Sequence, residues 1–345
     1  MGDLVKSTPV PRPDGPGVSA SLGADCRDEP GRNGRSCLAL ACVFFAAFSF
    51  PAVSAHADPF KLKIACTATS DCASAMMARD EGIFARHGID ADVTLIAINT
   101  NIPPAIVSDS IQIGGPTATV FLQAVDGGLD LVAIDGASVM DPVSNASIAA
   151  VARNGANIRD AKDFVGKKVG APGIGAFLHV LFRKWLIEKG VDPKSVNFVE
   201  VTFPNQSDTL KSGAVDAVLT AEPLISRIKA AGAGEVAARY AADLARTDPI
   251  ISYVATRAFA EQHPDVVKAF RASIEEAAPI VNADRDKATA AVAKFTKMPI
   301  DLVRLSRPNI SNPGLKGSDF TWWVQTMKEE DMLQGTIDLN KLVLP

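Results

Sequence analysis

An alternation of strand and helix patterns that occurs twice along the chain is the feature that most constrains the fold. Helical patterns separate short β-rich runs in the first series, and the alternation begins again after Val151. The predicted strands lie at 61–67, 91–97, 111–113 and 131–134, and then at 167–171, 196–201 and 217–220. Such alternation predicts an α/β fold with a mostly parallel sheet in each series. The sequence therefore predicts two lobes, each a sheet flanked by helices.

The C-terminal part of the chain does not begin a third series. An apolar strand at 250–256 is followed by long amphipathic helical stretches at 264–281 and 285–295. We therefore expect this tail to return to the first lobe, so that the second lobe is an insertion between two crossover segments suited to a hinge. The crossovers are predicted near 148–153 and 251–256, and the domains at 58–150 with 254–345 for lobe 1 and at 151–253 for lobe 2.

The first 57 residues have the order of an N-terminal extension followed by a secretory signal peptide. Arg32 and Arg35 precede an apolar run at 37–50, and the small-residue sequence Ala55-His56-Ala57 follows it. The apolar run is 14 residues long, whereas a membrane span needs roughly 20. We therefore predict cleavage after Ala57 and a periplasmic location.

Two alternatives for this N-terminal region stay open. Residues 1–31 are rich in Pro and Gly, which fits either a disordered extension or a start codon assigned too early. A lipid anchor would use Cys42, although Ala39-Leu40-Ala41 before it matches a lipobox poorly. Neither alternative changes the predicted fold.

Charge, cysteine and histidine content exclude other classes of function. The net charge of -4 disfavours nucleic acid as a partner. Only Cys66 and Cys72 follow the signal peptide, and they fit either a disulfide in an oxidising compartment or two small buried residues. The histidines after residue 57 are scattered, without Cys or His at ligand spacing. Neither a metal nor a cofactor is therefore expected.

Three motifs resemble those of one receptor family. The run from Ala78 to Val93, which contains Gly82-Ile83-Phe84 and Gly88, is similar to a signature of the nitrate, sulfonate, taurine and thiamine-precursor receptors. Matches at 166–175 and 213–217 extend the resemblance over nearly the whole mature chain. It implies a type II periplasmic binding protein fold, with a ligand in the cleft between the lobes and an ABC permease in the inner membrane as partner. It also implies a monomer.

The predicted ligand site does not depend on the resemblance. In open α/β sheets, ligands bind beyond the carboxyl ends of the strands, where loops lead into helix N-termini. The residues expected to bind the ligand on this ground are Thr69, Ser70, Asp71, Gly115, Pro116, Thr117, Ser138, Gly173, Ile174, Gly175, Ala176 and Glu222. The alternative roles are turns for the glycines, helix caps for the hydroxyl residues and a solvated helix start for Glu222.

The sequence constrains the chemical class of the ligand less than it constrains the position of the binding site. Helix N-termini favour an anionic head group such as a sulfonate or a carboxylate. A neutral pyrimidine, or an amine held by Glu222 or Asp71, fits the same sequence. Many members of the resembled family carry a Gly-aromatic pair after the first strand, whereas this chain has Cys66-Thr67-Ala68 there. We therefore expect recognition by hydrogen bonds and helix ends more than by aromatic stacking.

Motifs that would indicate an enzyme are missing from the sequence. The glycines at 170, 173 and 175 lack the spacing of a dinucleotide fingerprint, and neither a P-loop nor a Gly-x-Ser-x-Gly elbow occurs. His179 lies within a predicted apolar helix, and we therefore expect it to be packed there and not to act as a base. No catalytic residue is predicted, and the chain is expected to be a solute receptor of an ABC importer. A periplasmic ligand sensor and, less favoured, a pyrimidine-related enzyme are the alternatives.

Overall fold

The structure, a computed structural model, describes residues 58–345, and the signal peptide predicted within residues 1–57 lies outside them. The strands are β1 Phe60–Cys66, β2 Ile89–Leu95, β3 Ile113–Gly114, β4 Leu131–Val139, β5 Ile148–Arg153, β6 Lys168–Ala171, β7 Asn197–Glu200, β8 Ala217–Ala221, β9 Gly234–Ala238, β10 Pro249–Thr256 and β11 Ile310–Ser311. The helices are α1 Ala73–Asp80, α2 Ile83–Arg86, α3 Ile102–Val107, α4 Ala118–Asp126, α5 Pro142–Ala146, α6 Phe177–Glu188, α7 Gln206–Lys211, α8 Leu224–Ala230, α9 Tyr240–Leu244, α10 Arg257–Gln262, α11 Pro264–Ala283, α12 Arg285–Thr296, α13 Ile300–Val303, α14 Thr321–Glu329 and α15 Leu339–Leu342.

The strands of residues 58–345 form two sheets, which confirms the predicted two-sheet α/β fold. The first sheet has the order β11-β4-β10-β3-β1-β2, and the second has the order β7-β6-β8-β5-β9. The chain crosses to the second sheet after β4 and returns to the first with β10. The C-terminal strands β10 and β11 therefore lie in the sheet that the N-terminal strands begin.

Most strands of each sheet run in one direction, as predicted, but each sheet also contains at least one strand that runs in the opposite direction. The strands β1, β2 and β3 pair in parallel, as do β6, β7 and β8, but β10 runs antiparallel to β3 and β4, and β5 runs antiparallel to β8 and β9. The physical reason is that β5 and β10 are the strands by which the chain enters each sheet from the other. Strand-helix alternation indicates parallel units but does not give the direction of such entering strands.

Two short segments connect the sheets. The segments expected as crossovers are themselves strands, because β5 pairs only within the second sheet and β10 only within the first. The connections run instead through 140–147, which contains α5, and 239–248, which contains α9. They are hydrogen-bonded to each other: Met140 donates its N–H to the Asp248 carbonyl at 3.0 Å, and Asn145 Nδ2 donates to the Arg246 carbonyl at 2.8 Å. We propose that they form a hinge and mark the boundaries of two lobes.

The packing of helices explains why the central strands of the first sheet are apolar on both faces and not only at alternate positions. The strands β4 and β10 are buried along nearly their whole length, because helices cover both faces of the first sheet. On one face, Tyr253 of β10 packs against Phe270 of α11 with ring centroids 5.0 Å apart. Phe270 in turn stacks on Phe84 of α2 at 5.8 Å. The long helix α11 thus joins the C-terminal part of the chain to the first sheet.

The sequence signature at 78–93 has a structural origin. Gly82 separates α1 from α2 with φ of 67°, and Gly88 turns the chain into β2 with φ of 77°. A side chain would strain both positions. Ile83 and Phe84 between them are buried in the core. No helix within residues 58–345 is long and apolar enough to cross a bilayer.

Candidate functional site

A cavity lies between the two sheets, at strand ends from both. Its wall includes residues from the loops that follow β1, β3, β6 and β8, together with the starts of β5 and β10 and a segment from the C-terminal part of the chain. The polar lining consists of Thr67, Thr69, Ser70, Asp71, Asn99, Thr117, Ser144, Ser147, Glu222, Ser306, Arg307 and Asn309. The rest is apolar and includes Phe177, Phe203 and Met298, while the described lining contains neither Trp nor Tyr. This is the kind of cavity that encloses a small organic molecule.

A disulfide holds one wall of the cavity. Cys66 at the end of β1 is bonded to Cys72 just before α1, and all five residues between them line the cavity. Gly115 packs against the disulfide, since a Cβ atom there would lie 2.6 Å from Sγ of Cys72. The disulfide and Gly115 therefore shape the loop from Thr67 to Asp71.

Asp71 is the most connected polar residue of the cavity wall. It is 8% exposed. Its Oδ1 accepts hydrogen bonds from Ser138 Oγ at 3.0 Å and Asn309 Nδ2 at 2.6 Å, and its Oδ2 accepts one from Thr69 Oγ1 at 2.6 Å. Ser70 accepts a further bond through Oγ, from the backbone N–H of Asn309 at 3.1 Å. These bonds fix the orientation of the carboxylate in the wall.

Asn99 and Thr117 form a second corner of the wall. The N–H of Thr117 donates to Oδ1 of Asn99 at 2.8 Å, and Nδ2 of Asn99 donates to the carbonyl of Gly115 at 3.3 Å. Thr117 Oγ1 also caps α4 by accepting from the N–H of Val120 at 3.4 Å. Thr117 is therefore both a helix cap and a lining residue, so its two predicted roles are compatible.

The start of α6 reaches the cavity from the second sheet. Ala176 caps this helix without a side-chain hydrogen bond, and Phe177 follows it in the lining. His179 lies one turn further on and accepts at Nδ1 from the N–H of Gly175 at 3.0 Å. Burial, with a smaller contribution from Arg183, lowers the pKa of His179 to about 3. The neutral imidazole therefore anchors the glycine loop before α6.

Glu222 brings a second carboxylate to the cavity. It follows β8, precedes Pro223 through a cis peptide bond and lines the cavity. Its Oε2 accepts from the N–H of Ser226 in α8 at 3.1 Å. One carboxylate oxygen therefore stabilises the helix start while the residue faces the cavity.

The structure brings six of the twelve predicted binding residues into the lining. These are Thr69, Ser70, Asp71, Thr117, Ala176 and Glu222. Ser138 supports Asp71 from behind, and Ile174 is exposed. The other residues outside the lining are buried: Gly115, Pro116, Gly173 and Gly175.

Sequence reasoning missed the segment 306–309, which contributes Arg307 and Asn309 to the wall. Arg307 Nη2 donates to Oδ1 of Asp141 at 2.7 Å, where Asp141 caps the start of α5. The segment follows α13 and not a strand. The rule that ligands bind beyond the ends of strands, which identified the other loops, therefore does not apply to it. Its sequence signal is a short, mostly polar stretch, Ser306 to Asn309, between α13 and the short strand β11.

Metal-ligating side chains are dispersed over the described part of the chain. Residues 58–345 contain no group of three or more His, Cys, Asp or Glu side chains that could hold a metal ion. The chemistry of the cavity wall is instead that of hydroxyl, amide, carboxylate and guanidinium groups. Such groups recognise a ligand by hydrogen bonds and charge.

The solved structures of similar fold include periplasmic binding proteins and an enzyme. The aliphatic sulphonate binding protein SsuA of Escherichia coli aligns with a TM-score of 0.67 and 19% identity, over 83% of this chain and 97% of that one. The nitrate-binding protein NrtA of Synechocystis PCC 6803 aligns with a TM-score of 0.65 and 14% identity, over 82% and 84%. The desulfurization enzyme DSZB aligns with a TM-score of 0.58 and 13% identity, over 83% and 96%. These alignments show that the fold is shared.

Sequence comparisons identify the family. A Brucella abortus protein named as a candidate binding protein is 28% identical over 226 residues, which are 64% of this chain and 67% of that protein. The family model described as NMT1/THI5 like matches residues 69–288. That range begins in the loop of Asp71 and extends past Glu222, so it contains strand ends from both sheets that form the cavity. The chain belongs to the NMT1/THI5-like family.

Proposed function

We propose that this protein is the periplasmic solute receptor of an ABC import system. In this role it acts as a monomer, binds one small organic molecule in the cavity between the sheets, and delivers it to a permease in the inner membrane. The observation that carries the proposal is the cavity itself, whose wall combines strand ends of both sheets. Membership of the NMT1/THI5-like family and the fold shared with periplasmic binding proteins support it.

The connections between the sheets supply a mechanism for closure. Because two segments of the described chain, 140–147 and 239–248, connect the sheets, a ligand that contacts both sheets can shift the population toward a closed form. Thr69 and Asp71 would contact the ligand from the first sheet, and Glu222 and Ala176 from the second. The permease would then recognise the closed form.

A binding role is favoured over catalysis by the chemistry of the lining. The described lining contains no Cys nucleophile, and none of its serine and threonine hydroxyls has a lining His or Lys as the base that commonly activates such a nucleophile. The buried His179 lies outside the lining, and burial holds its pKa at about 3. We therefore propose no catalytic residue.

Transport and ligand sensing can be separated by uptake measurements in cells. We expect a strain without this gene to lose uptake of the compound that most raises the melting temperature of the purified protein. Ala221→Trp fills the cavity and should not restore uptake. Ala214→Trp, in the exposed turn before β8, should restore it. Undiminished uptake in the deletion strain would contradict the import role and favour a sensor.

A further inference from the structure

The charged side chains of the cavity are unevenly balanced. Among the described residues, the lining contains the carboxylates of Asp71 and Glu222 and the guanidinium of Arg307. Arg307 is already paired with Asp141, at 2.7 Å between Nη2 and Oδ1. Asp141 is buried. Asp141 therefore largely compensates the positive charge of Arg307, whereas no side-chain cation of the described residues compensates the carboxylates of Asp71 and Glu222.

Asp71 is buried without a cationic partner. Its three side-chain donors are the neutral groups of Thr69, Ser138 and Asn309. Within residues 58–345, no Lys, Arg or His nitrogen lies within ion-pair distance of this carboxylate. A buried carboxylate is most stable when a positive charge compensates it. The ligand is the remaining candidate for that charge.

Glu222 faces the same cavity from the second sheet. Its Oε2 accepts one backbone hydrogen bond from Ser226. It also forms no ion pair with any residue of the described chain. A positively charged group between the sheets would therefore be attracted by one carboxylate from each side. This arrangement would favour the closed form only when such a group is bound.

We propose that the polar end of the ligand is an organic cation, such as a protonated amine, attached to an apolar body. The inference rests on the proposed receptor function and specifies the ligand class of the same cavity. Phe177, Phe203 and Met298 in the lining would contact the apolar body. The start of α6, where no side chain caps the helix, supplies only about half a positive charge, against the two carboxylates of Asp71 and Glu222. The charge balance therefore selects a cation over a sulfonate or carboxylate.

A matched series of compounds tests this ligand class. Benzylamine, benzyl alcohol, benzoate and benzenesulfonate share one apolar body, and butylamine, butanol, butanoate and butanesulfonate share another. By calorimetric titration, we expect the amine of at least one series to bind about tenfold or more tighter than its anionic analogues, because one charge pair contributes about this factor. Asp71→Asn should weaken amine binding about tenfold while leaving alcohol binding unchanged.

Control variants separate charge from folding. Glu222→Gln retains an oxygen for the Ser226 bond and should also weaken amine binding, so the inference stays testable if Asp71→Asn fails to fold. Asp92→Asn and Glu188→Gln change exposed acids and should leave binding unchanged. Tighter binding of an anion, abolished by Ala221→Trp, would overturn the cation inference and leave the receptor proposal standing. Absence of binding by both amines at millimolar concentration would contradict the cation inference, whereas the uptake measurement tests the receptor proposal separately.

Discussion

Asn309 donates a hydrogen bond from Nδ2 to Oδ1 of Asp71 at 2.6 Å, although 238 residues separate the two in sequence. The same residue donates its backbone N–H to Ser70 Oγ. Asn309 thereby joins the segment that follows α13 to the loop that follows β1, and both line the cavity. The wall of the cavity depends on this tertiary contact, which no local sequence pattern reveals.

The contact predicts a loss of stability and of ligand affinity in Asn309→Ala. A hydrogen bond to a buried charged group contributes about 2 kcal/mol, so the free energy of unfolding should fall by about that amount. Ligand affinity should fall as well, because Asp71 loses an orienting donor. Urea unfolding and calorimetric titration measure the two effects. Asn101→Ala, at an exposed asparagine before α3, is the matched control, and equal behaviour of the two variants would refute the role of Asn309.

The disulfide predicts a coupling between stability and binding. Replacing both Cys66 and Cys72 by Ala should lower the free energy of unfolding by about 2 kcal/mol, because a short closed loop is released in the unfolded chain. Ligand affinity should also decrease, since five lining residues lie within that loop. Reduction of the wild type should reproduce both effects, and reductant should leave the double variant unaffected. Unaltered affinity after reduction would show that the disulfide does not shape the cavity.

A buried ion pair joins α6 to the end of α14. Arg183 Nε lies 2.5 Å from Glu330 Oε2, and the two side chains are 14% and 3% exposed. Burial raises the pKa of Glu330, while Arg183 opposes this shift. Arg183→Ala leaves the carboxylate buried without a partner and should cost about 3 kcal/mol of stability.

Two further variants test this ion pair. Adding Glu330→Gln to Arg183→Ala should recover part of the lost stability, because the uncompensated charge is removed. Arg304→Ala removes an exposed pair with Asp301 and should change the free energy of unfolding by about 0.5 kcal/mol or less. Chemical denaturation of the variants at pH 8 measures these differences. Similar losses in Arg183→Ala and Arg304→Ala would contradict a special contribution of the buried pair.

Asp135 on β4 predicts a pH dependence of stability. Burial raises its pKa to about 8, which Arg271 only partly opposes. One carboxylate oxygen accepts from the N–H of Gly136 at 2.9 Å, and the other is buried without a hydrogen-bond partner among the described residues. Because the folded-state pKa lies above the ordinary value, the folded protein retains a proton that the unfolded chain releases. The contribution of Asp135 to stability therefore falls as the pH rises from about 4 to about 8.

Asp135→Asn should remove this dependence. At pH 8 the variant should be more stable than the wild type by about 2 kcal/mol or more, because each unit of pKa shift corresponds to about 1.4 kcal/mol. The advantage should shrink toward pH 4. Melting temperatures across this range measure it, with the exposed Asp92→Asn as control. A stability difference that is independent of pH would show that Asp135 is not protonated in the folded protein.

More of the fold than of the cavity wall can be predicted from the sequence. Strand-helix alternation locates most elements, because hydrophobic periodicity is a local property. The direction of β5 and β10 depends on how the chain passes between sheets, which periodicity does not encode. Strand-end reasoning finds the loop of Asp71 and the carboxylate of Glu222. It misses Arg307, because a segment after α13 reaches the cavity only through tertiary packing.

Titration of the purified protein with the compound that most raises its melting temperature tests the central claim most directly. The account predicts one molecule bound per chain. Ala221→Trp, which fills the cavity, should abolish the binding, whereas Ala214→Trp in the exposed turn before the same strand should bind like the wild type. Binding that persists unchanged in folded Ala221→Trp would contradict the claim that the cavity between the sheets is the ligand site.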